Sequence, residues 1–223
     1  MKFLDLTLPT PAENLACDEQ LLDAAERGNS GEVLRVWESP EPFVVVGYGQ
    51  TIATEVNVAA CAAKKIPVLR RCSGGGTVVQ GPGCLSYALV LEIAANAELK
   101  NITAANRFIM ERNREAVEGE VRIQNPESRI EICGHTDLAL NTQHSTLNTS
   151  QKFSGNAQRR RRHFLLFHGT FLLDFDLALV NELLPLPSRQ PDYRASRAHE
   201  KFLMNLQLPA ATLKSALRTA WLG

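Results

Sequence analysis

The chain has 223 residues, 44% of them hydrophobic, and its 24 basic and 24 acidic side chains cancel to a formal net charge of zero. That length can bury a sizeable core without a metal or disulfide staple, and the charge balance gives no general attraction to nucleic acid or an anionic membrane. Five cysteines (Cys17, Cys61, Cys72, Cys84 and Cys133) lie scattered without a CxxC pair, which argues against a disulfide framework or a zinc site and fits reduced thiols.

The start, MKFLDLTLPTPAEN, lacks the basic head and apolar run of a signal peptide. No stretch approaches the roughly 18 consecutive apolar residues of a membrane span. A cytoplasmic protein with one domain over residues 1–223 is therefore expected. Leu15, Ala16, Leu21, Leu22 and Ala25 fall at helical spacing between Thr10 and Arg27, ahead of Gly28. EVLRVWE (Glu32–Glu38) alternates like a half-buried strand, and Phe43–Val46 reads as an interior strand. Val56–Lys65 is Ala-rich and helical in character, and Ile66–Leu69 opens another strand. TVVQGPGCLSYALVLEI reads as strand, Gly-Pro turn and strand, a hairpin. Thr103 is the expected cap of a helix running to Glu118. Further strands are expected at Arg129–Cys133, Asp137–Leu140, Phe153–Gln158 and His163–Leu173, and a helix around Ala211–Leu222. The polar stretch Asn141–Gln151 reads as a loop. Strands bracketed by helices make the fold class α/β (α+β), with a mixed, mostly antiparallel sheet.

The densest chemical signal is RRCSGGGTVV, residues 70–79. Consecutive glycines let the backbone approach a ligand closely, and free N–H groups in such a turn can cradle an anion. Two arginines beside it add a possible fork for carboxylate or phosphate. No GK[ST] follows and the chain enters a strand, so this is not a P-loop; Gly81-Pro82-Gly83 does not complete a Rossmann fingerprint either.

The motifs VVVGYGQTIATEVN, RRCSGGGTVVQGPGCLSY, GHTDLAL, QKFSGNAQ and FHGTFLLDF occur in this order along the chain. Together they resemble the lipoate-protein ligase A family. The resemblance implies a class II synthetase and biotin-ligase-like core and a two-step reaction. A lipoyl-type acid is activated by ATP with Mg²⁺ to an acyl-adenylate, and the acyl group passes to a lysine. The implied acceptors are lipoyl domains of 2-oxoacid dehydrogenase E2 subunits and the glycine cleavage H protein. It further implies that Lys152 contacts the carboxyl and α-phosphate oxygens, where a compact ammonium stabilises developing negative charge. By the same similarity Arg71, Ser73, Gly74, Gly75 and Gly76 line the acyl-adenylate, with Val78 and Val79 near the adenosine. Ser154, Gly155 and Ala157 shape the strand beside Lys152, His168 and Gly169 form the His-Gly motif, and Asp137 sits where a carboxylate holds Mg²⁺.

Some features depart from the pattern. His135 and Thr136 stand where ligases show Arg and Asn, and Cys84 replaces a polar residue. The chain ends at Gly223, whereas the best-known ligases carry a further C-terminal domain, so a separate accessory protein is one expectation. Related transferases use a cysteine thioester in place of ATP. One version places that cysteine just before His-Gly, where this chain has Leu165-Leu166-Phe167; another leaves Cys133 as the alternative nucleophile. A binding module without turnover is the third reading. Arg159–Arg162 is either a solvated hairpin tip or a docking patch for an acidic lipoyl domain.

Overall fold

The computed structural model describes residues 1–141 and 150–223; most of the loop expected at Asn141–Gln151 lies outside the described residues. The chain opens with β1 (Lys2–Asp5) and α1 (Pro11–Glu26), whose start is fixed by a capping box between Thr10 and Glu13. β2 (Val33–Trp37) and β3 (Phe43–Val46) follow, then the short helices α2 (Ile52–Glu55) and α3 (Val58–Ala63). β4 (Val68–Arg70), β5 (Val78–Gln80) and β6 (Cys84–Glu92) precede the long helix α4 (Ile102–Gln124). Four strands come next, β7 (Arg129–Cys133), β8 (Asp137–Asn141), β9 (Gln151–Arg160) and β10 (Phe164–Leu172). The chain finishes with α5 (Leu177–Leu183), α6 (His199–Phe202) and α7 (Ala210–Leu222).

The strands form a seven-stranded sheet in the order β1-β2-β6-β10-β9-β8-β7 and a three-stranded sheet in the order β4-β3-β5. Only β1/β2 and β3/β4 pair in parallel, so the mixed, mostly antiparallel expectation holds. One face of the large sheet (Leu34, Val36, Leu89, Phe167, Phe171) packs on Ile109 and Val117 of α4 and Leu213 and Leu217 of α7. Leu22 and Ala25 of α1 meet Val33, Ala88, Val90 and Leu166 on the other face. Each buried aliphatic side chain in these layers contributes about 1.5–3 kcal/mol.

Three local expectations are corrected. β5 and β6 are not a hairpin: β5 pairs with β3 in the small sheet, while β6 pairs with β2 and β10 in the large one. Gly81-Pro82-Gly83 carries the chain between sheets, and Gly83 sits at φ 82 where a Cβ would strike the Asp174 carbonyl. β2 is buried on both faces, not one, because helices cover both sides of the sheet there. The α4 cap is Asn101, whose side chain accepts from Thr103 N and Ala104 N, so Thr103 already belongs to the first turn.

Candidate active site

A cavity of about 990 Å³ lies between the two sheets, at the upper end of the usual range for ligand pockets. Gly75, Gly76, Val78 and Val79 line it from the small-sheet side, together with Arg71. Asp137, Lys152, Ser154, Gly155, Ala157, His168 and Gly169 line it from the large sheet. Ser73 and Gly74 are not part of the lining, and neither is Cys133.

At the centre Lys152 Nζ stands 2.8 Å from Asp137 Oδ1, with both side chains largely buried. Lys152 owes its aspect to a β-bulge. Asp137 pairs with Gly155 and Leu138 with Ser154, but Ala139 pairs with Lys152, leaving Phe153 as the extra residue. Asn156 and Gln158 turn toward α4, where they bond Met110 and Asn106. Without the bulge, Lys152 would share their face; with it, Lys152 joins Gly155 and Ala157 on the cavity side. A Cβ on Gly155 would lie 2.7 Å from Lys152 Nζ. Gly155→Ala is therefore expected to push the ammonium off Asp137 and lower turnover about tenfold or more, since small misplacements at a reacting centre are costly. Steady-state kinetics beside a thermal melt check this: normal kcat in a folded variant refutes it.

The other oxygen of Asp137 accepts a 2.7 Å hydrogen bond from the Tyr193 hydroxyl. Burial, with Asp137 adjacent, pushes the Tyr193 phenol far above its ordinary range, so it stays a donor. Tyr193 comes from the Pro-punctuated segment before α6, and its sequence gave no sign of a site. The same segment buries Arg194, whose Nη2 lies 3.2 Å from His199 Nδ1; burial lowers the His199 pKa.

The glycine loop is held from behind. Arg71 donates to the Gly74 carbonyl at 3.1 and 2.9 Å and to the Gly76 carbonyl at 2.9 Å. Arg70 donates to the carbonyls of Gly47, Tyr48 and Gln50. The expected arginine fork is thus occupied by backbone carbonyls, and the two residues brace the loop. Burial lowers the Arg71 pKa to about 10, which leaves it cationic at neutral pH. Gly75 adopts φ 90, and a Cβ there would meet Arg71 Nη2 at 2.8 Å. Among the described residues no protein acceptor takes the N–H groups of Gly74, Gly75 or Gly76. Ser73 Oγ lies 2.6 Å from His168 Nε2, tying the loop to β10. His168 Nδ1 is 3.9 Å from Asp18 Oδ2, too long for a hydrogen bond. Asp18 pairs instead with buried Arg35 at 2.6 Å. Asp18, Arg35 and Tyr193 had escaped the sequence reading.

Cys133 faces Asp137 in register across the β7–β8 turn. Burial, with Glu131 and Asp137 alongside, pushes its thiol up to about 11. Burial likewise raises Cys72 to about 11 and Cys84 to about 12. The thiolate is the nucleophile, and these surroundings disfavour it. Three of the four arginines are tied down: Arg160 donates to the Leu99 carbonyl, Arg161 pairs with Asp23, and the Arg159 guanidinium lies over the Tyr48 ring, while Arg162 is exposed at the tip.

Two sheets closing on a glycine loop and a strand lysine define the fold of the biotin and lipoate protein ligases. The family model described as "Lipoyl protein ligase A/B catalytic domain" matches residues 10–213, and the chain belongs to that family. It is 26% identical over 215 residues to the octanoyltransferase LipM of Geobacillus kaustophilus, covering 90% of this chain and 75% of that protein. It is 27% identical over 209 residues to the probable lipoate-protein ligase A of Mycoplasma pneumoniae, covering 93% of this chain but only 56% of that protein. Among solved structures, a bipartite lipoate protein ligase from Thermoplasma acidophilum, described with its E2 lipoyl domain, superposes with a TM-score of 0.76 at 21% identity, covering 99% of this chain and 81% of that one. A lipoate-protein ligase A bound with ATP gives 0.72 at 22%, covering 99% and 83%. The family is enzymatic and works in protein lipoylation, under both ligase and transferase names. Among the described residues no helix is long and apolar enough to cross a membrane.

Proposed function

We propose that residues 1–223 form one catalytic unit that activates lipoate, or octanoate, with ATP and transfers the acyl group to a lysine of a lipoyl domain. The observation that carries this reading is the pairing of Lys152 with Asp137 inside a cavity that no cysteine lines. A carboxylate oxygen of the acid attacks the α-phosphorus of ATP, the bond to the β-phosphate oxygen breaks, and pyrophosphate leaves. The neutral ε-amine of the acceptor lysine then attacks the acyl carbon, the bond to the adenylate oxygen breaks, and AMP leaves while the new amide nitrogen loses its proton to water. Lys152 faces the oxygens on which charge builds in both steps. Gly75 and Gly76, which line the cavity, offer N–H groups to the same anions. His168 holds Ser73 and so the loop; the apolar wall of Leu15, Trp37, Val45 and Val78 suits the acyl chain.

Among the described residues no group of three or more His, Cys, Asp or Glu side chains could cage a metal. Mg²⁺ arriving with the phosphates would be held by Asp137 once an oxygen is released by Lys152 or Tyr193, and would neutralise phosphate charge there. The proposed acceptors are E2 and H-protein lipoyl domains, supported by the likeness to a ligase described with its E2 lipoyl domain. A second reading, octanoyl transfer through a Cys133 thioester without ATP, is favoured by the likeness to LipM.

An intact-mass assay on a lipoyl domain, supplied either with lipoate, ATP and Mg²⁺ or with octanoyl carrier protein, separates the two. The expected result is ATP-dependent modification that Cys133→Ser leaves within about threefold, as for a residue outside the reacting centre. Transfer from the carrier protein without ATP, abolished by Cys133→Ser, overturns the ligase reading.

A further inference from the structure

A polar chain runs from half-buried Thr136 and Asn156 at the cavity wall into the core, and the chemistry above gives it no role. Asn156 Nδ2 donates to the Thr136 carbonyl at 2.8 Å, and Asn156 N donates to the same oxygen at 3.0 Å. In return the Thr136 hydroxyl donates to the Asn156 carbonyl at 2.6 Å. These hydrogen bonds join Asn156 to the residue directly before Asp137.

The side chain of Asn156 is itself held. Its Oδ1 accepts from the Tyr87 hydroxyl at 2.7 Å, and that hydroxyl accepts from Asn113 Nδ2 at 2.8 Å. Asn113 Oδ1 in turn accepts from Trp221 Nε1 at 2.9 Å, which closes the chain on α7. Space is reserved for it as well: Gly169 lies opposite Asn156 in register, and a Cβ there would overlap Asn156 Oδ1. A rigid support of this kind fixes where a neighbouring side chain can stand.

We infer that Thr136 and Asn156 are positioning residues, a reciprocal clamp that sets the β7–β8 turn and thereby the Asp137 carboxylate against Lys152. The inference rests on the reading of Lys152 and Asp137 as the reacting centre. The Thr136 hydroxyl proton is committed to the Asn156 carbonyl, so it donates nothing to a ligand and acts through the position of Asp137. A clamp that served only the fold would change stability and leave the kcat of folded protein alone. A positioning clamp changes kcat and is restored by a residue that keeps the hydroxyl.

The test compares Thr136→Val and Thr136→Ser in the full chain, using whichever acyl donor the wild type accepts. Thr136→Val is expected to lower kcat about tenfold or more, with KM for the donor little changed, because the loss is one of alignment. Thr136→Ser is expected to recover most of that rate. Wild-type kcat in Thr136→Val, equal loss in both variants, or a loss that tracks the unfolded fraction would each overturn the clamp. If the wild type turns over neither donor, the functional reading fails and the clamp is still read from a crystal structure of Thr136→Val. There Asp137 should move off Lys152 by more than about 0.5 Å, the tolerance of a productive site; an unmoved pair refutes the inference.

Discussion

Replacing Lys152 with alanine is expected to lower acyl transfer about 100- to 1000-fold, the usual cost of removing one preorganised donor to a developing anion. The fold should survive. Asp137 keeps its hydrogen bond from Tyr193, and the bond from Met204 N to the Lys152 carbonyl is a backbone contact that alanine preserves. With both partners of the ion pair largely buried, its loss should cost more than the roughly 1 kcal/mol of a surface pair and at most the roughly 3–5 kcal/mol of a fully buried one. Arginine is not an adequate replacement: its planar, delocalised fork does not reproduce the compact ammonium that Lys152 sets 2.8 Å from Asp137. Single-turnover transfer to a lipoyl domain, beside a urea titration, checks both halves. A variant with near-normal turnover removes the ammonium from the mechanism.

Asp18→Ala is expected to destabilise the protein by about 3–5 kcal/mol, because it strands a buried cation. Arg35 is fully buried and Asp18 nearly so, at 0% and 3% side-chain exposure. The guanidinium also donates to the carbonyls of Leu6 and Asn14, at 3.1 and 2.9 Å, and to Asn14 Oδ1 at 2.5 Å. These oxygens solvate the cation but supply no countercharge. Asp18 Oδ2 accepts a 3.3 Å bond from Trp37 Nε1, so the alanine orphans an indole donor as well. Chemical denaturation of wild type and variant measures the difference; a shift under about 1 kcal/mol would mean that the polar carbonyls suffice. Because α1 brings Asp18 to the cavity wall beside His168, loosened packing there should also weaken the brace on the glycine loop.

How far the site could be read from the sequence follows from how each residue announces itself. Contiguous signals came through: β7 spans Arg129–Cys133, and α1 ends just before Gly28, in both sequence and structure. Lys152 and the glycine loop stand in compact motifs, and the chain brings them to one cavity. Asp18, Arg35 and Tyr193 sit in no such motif; their meaning lies in partners 17 to 56 positions away. Arg35 in particular interrupts an alternating pattern that reads as one solvated face, and only the helix covering that face shows the charge to be internal. The β5–β6 segment misled for the opposite reason. Its turn residues are those of a hairpin, yet both flanking strands found better partners elsewhere.

The irregularity at Phe153 has a consequence for how this chain tolerates change. Odd and even positions of β9 exchange faces at that residue, so parity is not conserved along the strand. A shift of one residue on the Lys152 side would rotate the ammonium into the α4 interior. The lysine's place in the cavity is therefore written in a count of residues as much as in their identities, and it holds while the single extra residue stays between Lys152 and Ser154.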